Sequence, residues 1–248
     1  MTEADWARIN RIQTAYSQST VHNQVTGVPP YPAIQHIESP LELVQLPTYL
    51  SSIRLITYLK NIPEFELLDS ADRLTLVKHN LLAVVFVHIV LIYDPTSDTY
   101  HEKHTNDPVF QGRDWIRILG QPFYDKITAT IKSLINIIKC NRVIAKFLLV
   151  IILYSKLFCG YDILHEQSLN NPTFVFNTQN LYLETLYKYC LHHYGYVRTI
   201  KLFAQLTSRL FSIQNLSIQF KGFVHEYIDA SQLTPLMQAV LQINDEPP

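Results

Sequence analysis

The chain predicts a nearly all-helical fold, and three observations predict it. Glycine is scarce, at six residues in 248, so few backbone positions are set aside for tight turns. No segment sustains the polar/apolar alternation of paired strands, while long stretches repeat apolar residues at three- and four-residue spacing. One helix-length stretch becomes apolar all round between Leu81 and Tyr93. A helix with no polar face must be covered on every side, which predicts an all-α fold with three layers of helices rather than a simple four-helix bundle. The 48% apolar content supplies ample core for one domain over residues 1–248.

The elements follow in order. Trp6, Ile9, Ile12 and Tyr16 stand at helical spacing and predict a first helix from about Glu3 to Ser17. A Pro-rich connection follows at Val28-Pro29-Pro30-Tyr31-Pro32. A helix from about Leu41 to Ile62 stops where Pro63 forces Ile62 into extended geometry, leaving Lys60 in its last turn. Ser70 is the expected cap of the next helix, Asp72 suits its first turn, and the helix runs to Tyr93 before Asp94-Pro95 ends it. Thr96-Ser97-Asp98-Thr99 is turn chemistry that leaves room for one small hairpin. Helices are then expected from Pro122 to Ile138, Arg142 to Phe158, Gln179 to Tyr194 and Arg198 to about Tyr227. A polar hinge at Asp229-Ala230-Ser231-Gln232 precedes a short last helix near Pro235 to Gln242.

Several functions are disfavoured at this level. Twenty Lys and Arg stand against 21 Asp and Glu, so no electrostatic footprint for nucleic acid or an anionic membrane is expected. The apolar runs Leu81 to Tyr93 and Phe147 to Tyr154 are shorter than the roughly 18 to 20 residues a membrane span needs, and Met-Thr-Glu-Ala-Asp-Trp is not a secretory start. Cys140, Cys159 and Cys190 lack metal or disulfide spacing and are expected to be reduced and buried. His101-Glu102-Lys103-His104 sits in a loop and lacks the helical HExxH arrangement, so a solvated loop is expected. His88 is expected to be a hydrogen-bonded core histidine, and His192-His193 to complement a helix end. No nucleophile elbow, phosphate loop, metal set or carboxylate pair points to an enzyme or to a cofactor.

One stretch is specific. Lys60-x-Ile62-Pro63-x-Phe65-x-x-Leu68-x-x-x-Asp72-Arg73-x-x-Leu76-Val77-Lys78 resembles the signature of nuclear-receptor ligand-binding domains, with Arg73 in place of the usual glutamine. Weaker resemblances follow in the right order. Ile152-Leu153-Tyr154-Ser155 is similar to the family's middle-helix pattern, and Leu202 to Leu210 to its long penultimate helix. Thr234 to Leu241 is similar to the terminal activation helix, most like the version in peroxisome-proliferator-activated receptors and their relatives, and the chain as a whole most resembles the thyroid-hormone/peroxisome-proliferator-activated receptor-like subgroup.

The resemblance implies a ligand-regulated transcription-factor domain, built as a three-layer antiparallel helical sandwich, in the nucleus with the cytoplasm as the alternative; no DNA-binding domain is expected in this chain. It implies a coregulator groove formed by Lys60, Leu74, Val77, Lys78, Leu236, Met237 and Val240. In that groove Lys60 holds the carbonyl end of an amphipathic helix. The opposing glutamate is replaced by Ala239, which favours corepressor helices over coactivators. A small lipophilic ligand is implied among Ser51, Ser52, Leu55, Phe86, Ile89, Ile92 and Ser217, without the arginine that some relatives place near Ile92. Homodimers, or heterodimers with a retinoid X receptor-like protein, are implied through Leu206, Arg209, Leu210 and Ile213. The alternative is a ligand-independent dimerisation and corepressor-recruiting module with a filled pocket.

Overall fold

The computed structural model describes residues 1–23, 33–155 and 169–243. The protein is predominantly helical with one small three-stranded antiparallel sheet. The Pro-rich connection, Cys159 and Phe158 lie outside the described residues.

Helix α1 (Glu3–His22) starts with a reciprocal cap: Thr2 accepts from the Asp5 amide while Asp5 accepts from the Thr2 amide. The helix expected from Leu41 to Ile62 is divided. A single turn, α2 (Pro40–Leu43), leads into a wide five-residue turn over Val44–Thr48 and then α3 (Tyr49–Lys60). Pro47 causes the widening, since it has no amide to donate, and the Thr48 hydroxyl takes up the Leu43 carbonyl at 2.8 Å. After the short α4 (Pro63–Glu66) comes α5 (Ser70–Ile92), capped by Asp69 and not by Ser70: the Asp69 carboxylate accepts from the Asp72 amide at 2.7 Å.

Helix α5 touches α3, α7, α8, α10 and the last helix, and Leu82, Val85, Phe86 and Ile89 are all buried as its apolar circumference demands. Its N-terminal half lengthens the apolar run beyond what the sequence suggested, and the 23-residue helix is long and apolar enough to cross a membrane. Yet 72% of its most apolar window is buried inside the protein's own fold, as in the core helix of a soluble protein. Three buried polar residues interrupt it. Asp72 accepts from the backbone amides of Asn170 and Asn171 at 2.7 and 2.9 Å, Asn80 donates to the carbonyls of Leu153 and Ser155 at 2.8 Å each, and His88 meets Tyr16 and Glu102.

The hairpin is present and larger than expected. Strands β1 (Tyr93–Asp94), β2 (Thr99–Tyr100) and β3 (Phe110–Gln111) form an antiparallel sheet in the order β1-β2-β3, followed by α6 (Gly112–Leu119). Asp98 accepts from the hydroxyls of Tyr93 and Tyr124, and Tyr100 stacks on Trp115 at 4.5 Å. Gly112 is required there: a Cβ would come within 2.0 Å of the Tyr124 hydroxyl and 2.1 Å of the Asp98 carboxylate.

Helices α7 (Gln121–Ile138), α8 (Arg142–Leu153), α9 (Pro172–Tyr194) and α10 (Tyr196–Tyr227) complete the body. Gly195, at φ 74°, alone separates α9 from α10. Asp229 caps a short turn over Ala230–Gln232, and α11 (Pro235–Leu241) follows under a Thr234 cap. Cys190 is buried, whereas Cys140 is exposed in the turn after α7, contrary to expectation.

Candidate functional site

Helix α3 presents Ser51, Arg54, Leu55 and Tyr58 inward on successive turns, and all four are buried. Of the residues expected to hold a ligand, Ser51, Ile89 and Ile92 line one cavity, together with Arg54, Glu102, Asp107 and Trp115. The cavity volume is only about 40 Å³. Small-molecule pockets run from roughly 300 to 1,000 Å³, so this space suits a water molecule rather than a lipid.

The other four expected ligand residues are engaged elsewhere. Ser52 donates to the Thr48 carbonyl and Ser217 to the Ile213 carbonyl, each within its own helix. Leu55 is packed in the core and Phe86 sets its ring edge-on to Phe220 at 5.8 Å. None of these four lines the cavity.

What the sequence did not reveal is a buried ionic cluster at the cavity wall. Glu102, from the loop expected to be solvated, is 3% exposed. It accepts from the Tyr16 hydroxyl at 2.7 Å and from His88 Nε2 at 3.2 Å, with the guanidinium of Arg142 at 3.5 Å and that of Arg54 at 4.0 Å. Arg54 also pairs with Asp107, which Thr105 supports at 2.9 Å. Arginines therefore do approach Ile92: Arg54 shares the cavity with it, and Arg142 donates to the Leu91 carbonyl at 3.0 Å. The Arg54 Nε has no partner among the described residues.

Burial pushes the His88 imidazole down from its usual range, against the pull of Glu102, so it stays neutral. Its Nε2 lies close to both Glu102 and the Tyr16 hydroxyl while Nδ1 has no partner among the described residues, which assigns the proton to Nε2. Burial alone would raise the Glu102 carboxyl, but hydrogen bonds from His88 and Tyr16 and the charge of Arg54 overcome it and hold it below the usual carboxylate range. Beside them, Lys146 sits with its ammonium 4.7 Å over the Tyr16 ring, and burial together with Arg142 pushes it down to about 8.

The residues expected at the coregulator surface divide between outside and inside. Lys60 is exposed at the end of α3, Leu74 is 60% exposed, and Val77 and Lys78 are half-buried. Leu67, not foreseen, is 72% exposed. On α11, Leu236 is half-buried, while Met237 and Val240 are fully buried together with Leu241, so the helix is docked on α5. Gln242 locks its end, donating to His79 Nδ1 at 2.8 Å and accepting from Lys221. Ala239 is half-buried and supplies no anion.

The residues expected at a dimer surface divide in the same way. Leu206 and Ile213 pack into the protein's own core and are unavailable to another chain; Arg209 and Leu210 are half-buried. The outward stripe of α10 is instead Val197, Ile200, Ala204, Thr207 and Phe211, the last 66% exposed. Leu206 and Ile213 lie on the helical face turned away from that stripe.

The chain matches no protein-family model, and no curated protein matches it significantly.

Proposed function

We propose that the chain is a nuclear-receptor-type ligand-binding domain, a three-layer antiparallel helical sandwich, that works in the nucleus as a ligand-independent interaction module docking coregulator helices. The observation that carries this reading is the contrast between an internal cavity of about 40 Å³ and exposed leucines in the signature segment: Leu74, one turn before Lys78 on α5, and Leu67, with Lys60 also exposed at the end of α3. An amphipathic helix buries its leucines on such a surface and places its carbonyl end against a lysine. The outward stripe of α10 is the proposed contact with a second copy or with a retinoid X receptor-like partner.

The docked α11 shapes the choice of coregulator. A long corepressor-type helix has to displace it and so expose Met237, Val240 and Leu241, each worth roughly 1.5 to 3 kcal/mol of burial. A short Leu-x-x-Leu-Leu helix leaves α11 in place but lacks the anion at Ala239. Fluorescence anisotropy with both peptides tests this. The short peptide should bind weakly, weaken further in Lys60→Ala and Leu74→Glu, and gain about 0.3 to 2 kcal/mol in Ala239→Glu. The long peptide should bind better when the chain is truncated after Leu233. Peptides indifferent to all four changes would overturn the reading.

A ligand-sensing role has one observation in its favour, the convergence on one cavity of Ser51, Ile89, Ile92 and Arg54, whose Nε has no partner among the described residues. It requires that cavity to enlarge several-fold. Native mass spectrometry of the purified chain distinguishes the two: a co-purifying lipid supports sensing, and its absence together with peptide binding supports the module.

A further inference from the structure

We infer that the concavity between α7 and α10 binds a compact polyanion, a small molecule carrying several phosphate groups. The groove has a volume of about 630 Å³ and is walled by the last turns of α7, by Tyr194 at the end of α9 and by the first turns of α10. Four cations line it: Lys132, Lys139, Arg198 and Lys201. No carboxylate lines it, and none of the four has an ion-pair partner among the described residues. In a chain with 20 basic and 21 acidic residues, that is a local imbalance that no carboxylate among the described residues offsets.

Two of the cations are positioned without being neutralised. The Arg198 guanidinium lies 4.5 Å over the Tyr194 ring, and the Lys132 ammonium 5.9 Å from the Tyr93 ring centre. Aromatic faces orient a cation and leave its charge available to a ligand. Ser133 and Asn136 add neutral hydrogen-bonding groups to the same wall. Helix α10 begins at Gly195 with no side-chain cap and no acidic residue in its first turn, so its amide end adds positive potential beside Arg198.

The shape selects the ligand. A volume within the small-molecule range, with cations gathered around one concavity rather than strung along a track, suits a compact anion better than an extended acidic peptide. Each phosphate ester carries nearly two charges and three acceptor oxygens, so two or three such groups balance four cations, with bidentate geometry available at Arg198. A single carboxylate leaves most of the charge unanswered.

The test is isothermal titration of the full chain with myo-inositol hexakisphosphate and ATP as probes, citrate as the carboxylate control, and a polyglutamate peptide. Hexakisphosphate should bind with one-to-one stoichiometry, more tightly than citrate, and more weakly as salt is raised. Lys132→Ala combined with Lys201→Ala should reduce its affinity about tenfold or more, the loss expected for two charge-assisted contacts. Lys103→Ala combined with Arg113→Ala removes the same net charge elsewhere and should leave the affinity within about twofold, because screening confines the effect of distant charges. Equal loss in both double variants, or binding of polyglutamate without binding of either phosphate probe, would overturn the site. Thermal melting of each variant confirms that the fold is retained.

Discussion

Cations meet opposite fates in two regions of this molecule. At the cavity wall, Arg54 and Arg142 face Glu102 and Asp107, with Tyr16 and His88 completing the hydrogen bonds. In the groove between α7 and α10, Lys132, Lys139, Arg198 and Lys201 face no carboxylate among the described residues. The difference is a solvation argument. A charge withdrawn from water is sustained by a partner or costs several kcal/mol, whereas a solvated charge needs none. The inner cluster is therefore answered by the fold itself, and the outer one remains open to something the fold does not supply.

Breaking the inner pairing should have the largest effect. Asp107→Ala leaves the Arg54 guanidinium buried without its nearest anion and should cost about 3 to 5 kcal/mol, seen as a lowered urea midpoint. Combining it with Arg54→Met should recover much of that loss, since removing both charges also removes the uncompensated one.

Acidification sharpens the same contrast at intermediate size. The folded-state pKa of His88 is lowered, so the unfolded chain binds the proton more readily, and stability falls as pH drops below about 6.5, the ordinary imidazole value. The Glu102 carboxyl is also lowered, and its contribution is lost only at more acid pH, as pH falls through its folded value. Melting temperature should thus decline from neutral pH towards pH 5, and His88→Gln should flatten the first part of that decline.

The smallest effect belongs to the outer cluster. Lys132→Ala with Lys201→Ala should alter stability by no more than about 0.5 kcal/mol in either direction, the range for surface changes away from buried features. A loss of several kcal/mol in chemical denaturation would mean that these lysines serve the fold and would erase the contrast.

The helical class was legible because it rests on periodicity and glycine scarcity, and the Pro63 boundary because proline acts on its immediate neighbour. Pro47 was equally visible, but how far a wide turn absorbs a proline depends on partners such as the Thr48 hydroxyl. Helix α6 is too short for its periodicity to stand out, and β3 pairs with β2 from across a loop. Of the cavity residues, Ser51, Ile89 and Ile92 were foreseen by resemblance. Arg54 carried a local signal of its own, a charge between Ser51 and Tyr58 on the inward face of an apolar helix. Glu102 carried none, since its burial is created by Tyr16, His88 and Arg142 arriving from three other segments. Leu206 and Ile213, placed on an outer surface by resemblance, are buried in the protein's own core, because a matching run of residues fixes the helix but not which of its faces meets water.

The polar residues of α5 have a consequence for how the chain finds one arrangement. Along its buried half, a cylinder coated evenly with aliphatic side chains offers greasy contact at any angle, so burial alone sets no preferred rotation about its axis. Asp72, Asn80 and His88 recur every eight residues and project in three directions, each bound to a different neighbour: the start of α9, the end of α8, and the α1 helix with the loop after β2. Turning the helix by one residue would strand all three in hydrocarbon at about 1 to 3 kcal/mol apiece. They act as keys in a lock cylinder, converting a surface that would pack in many phases into one that seats in a single phase.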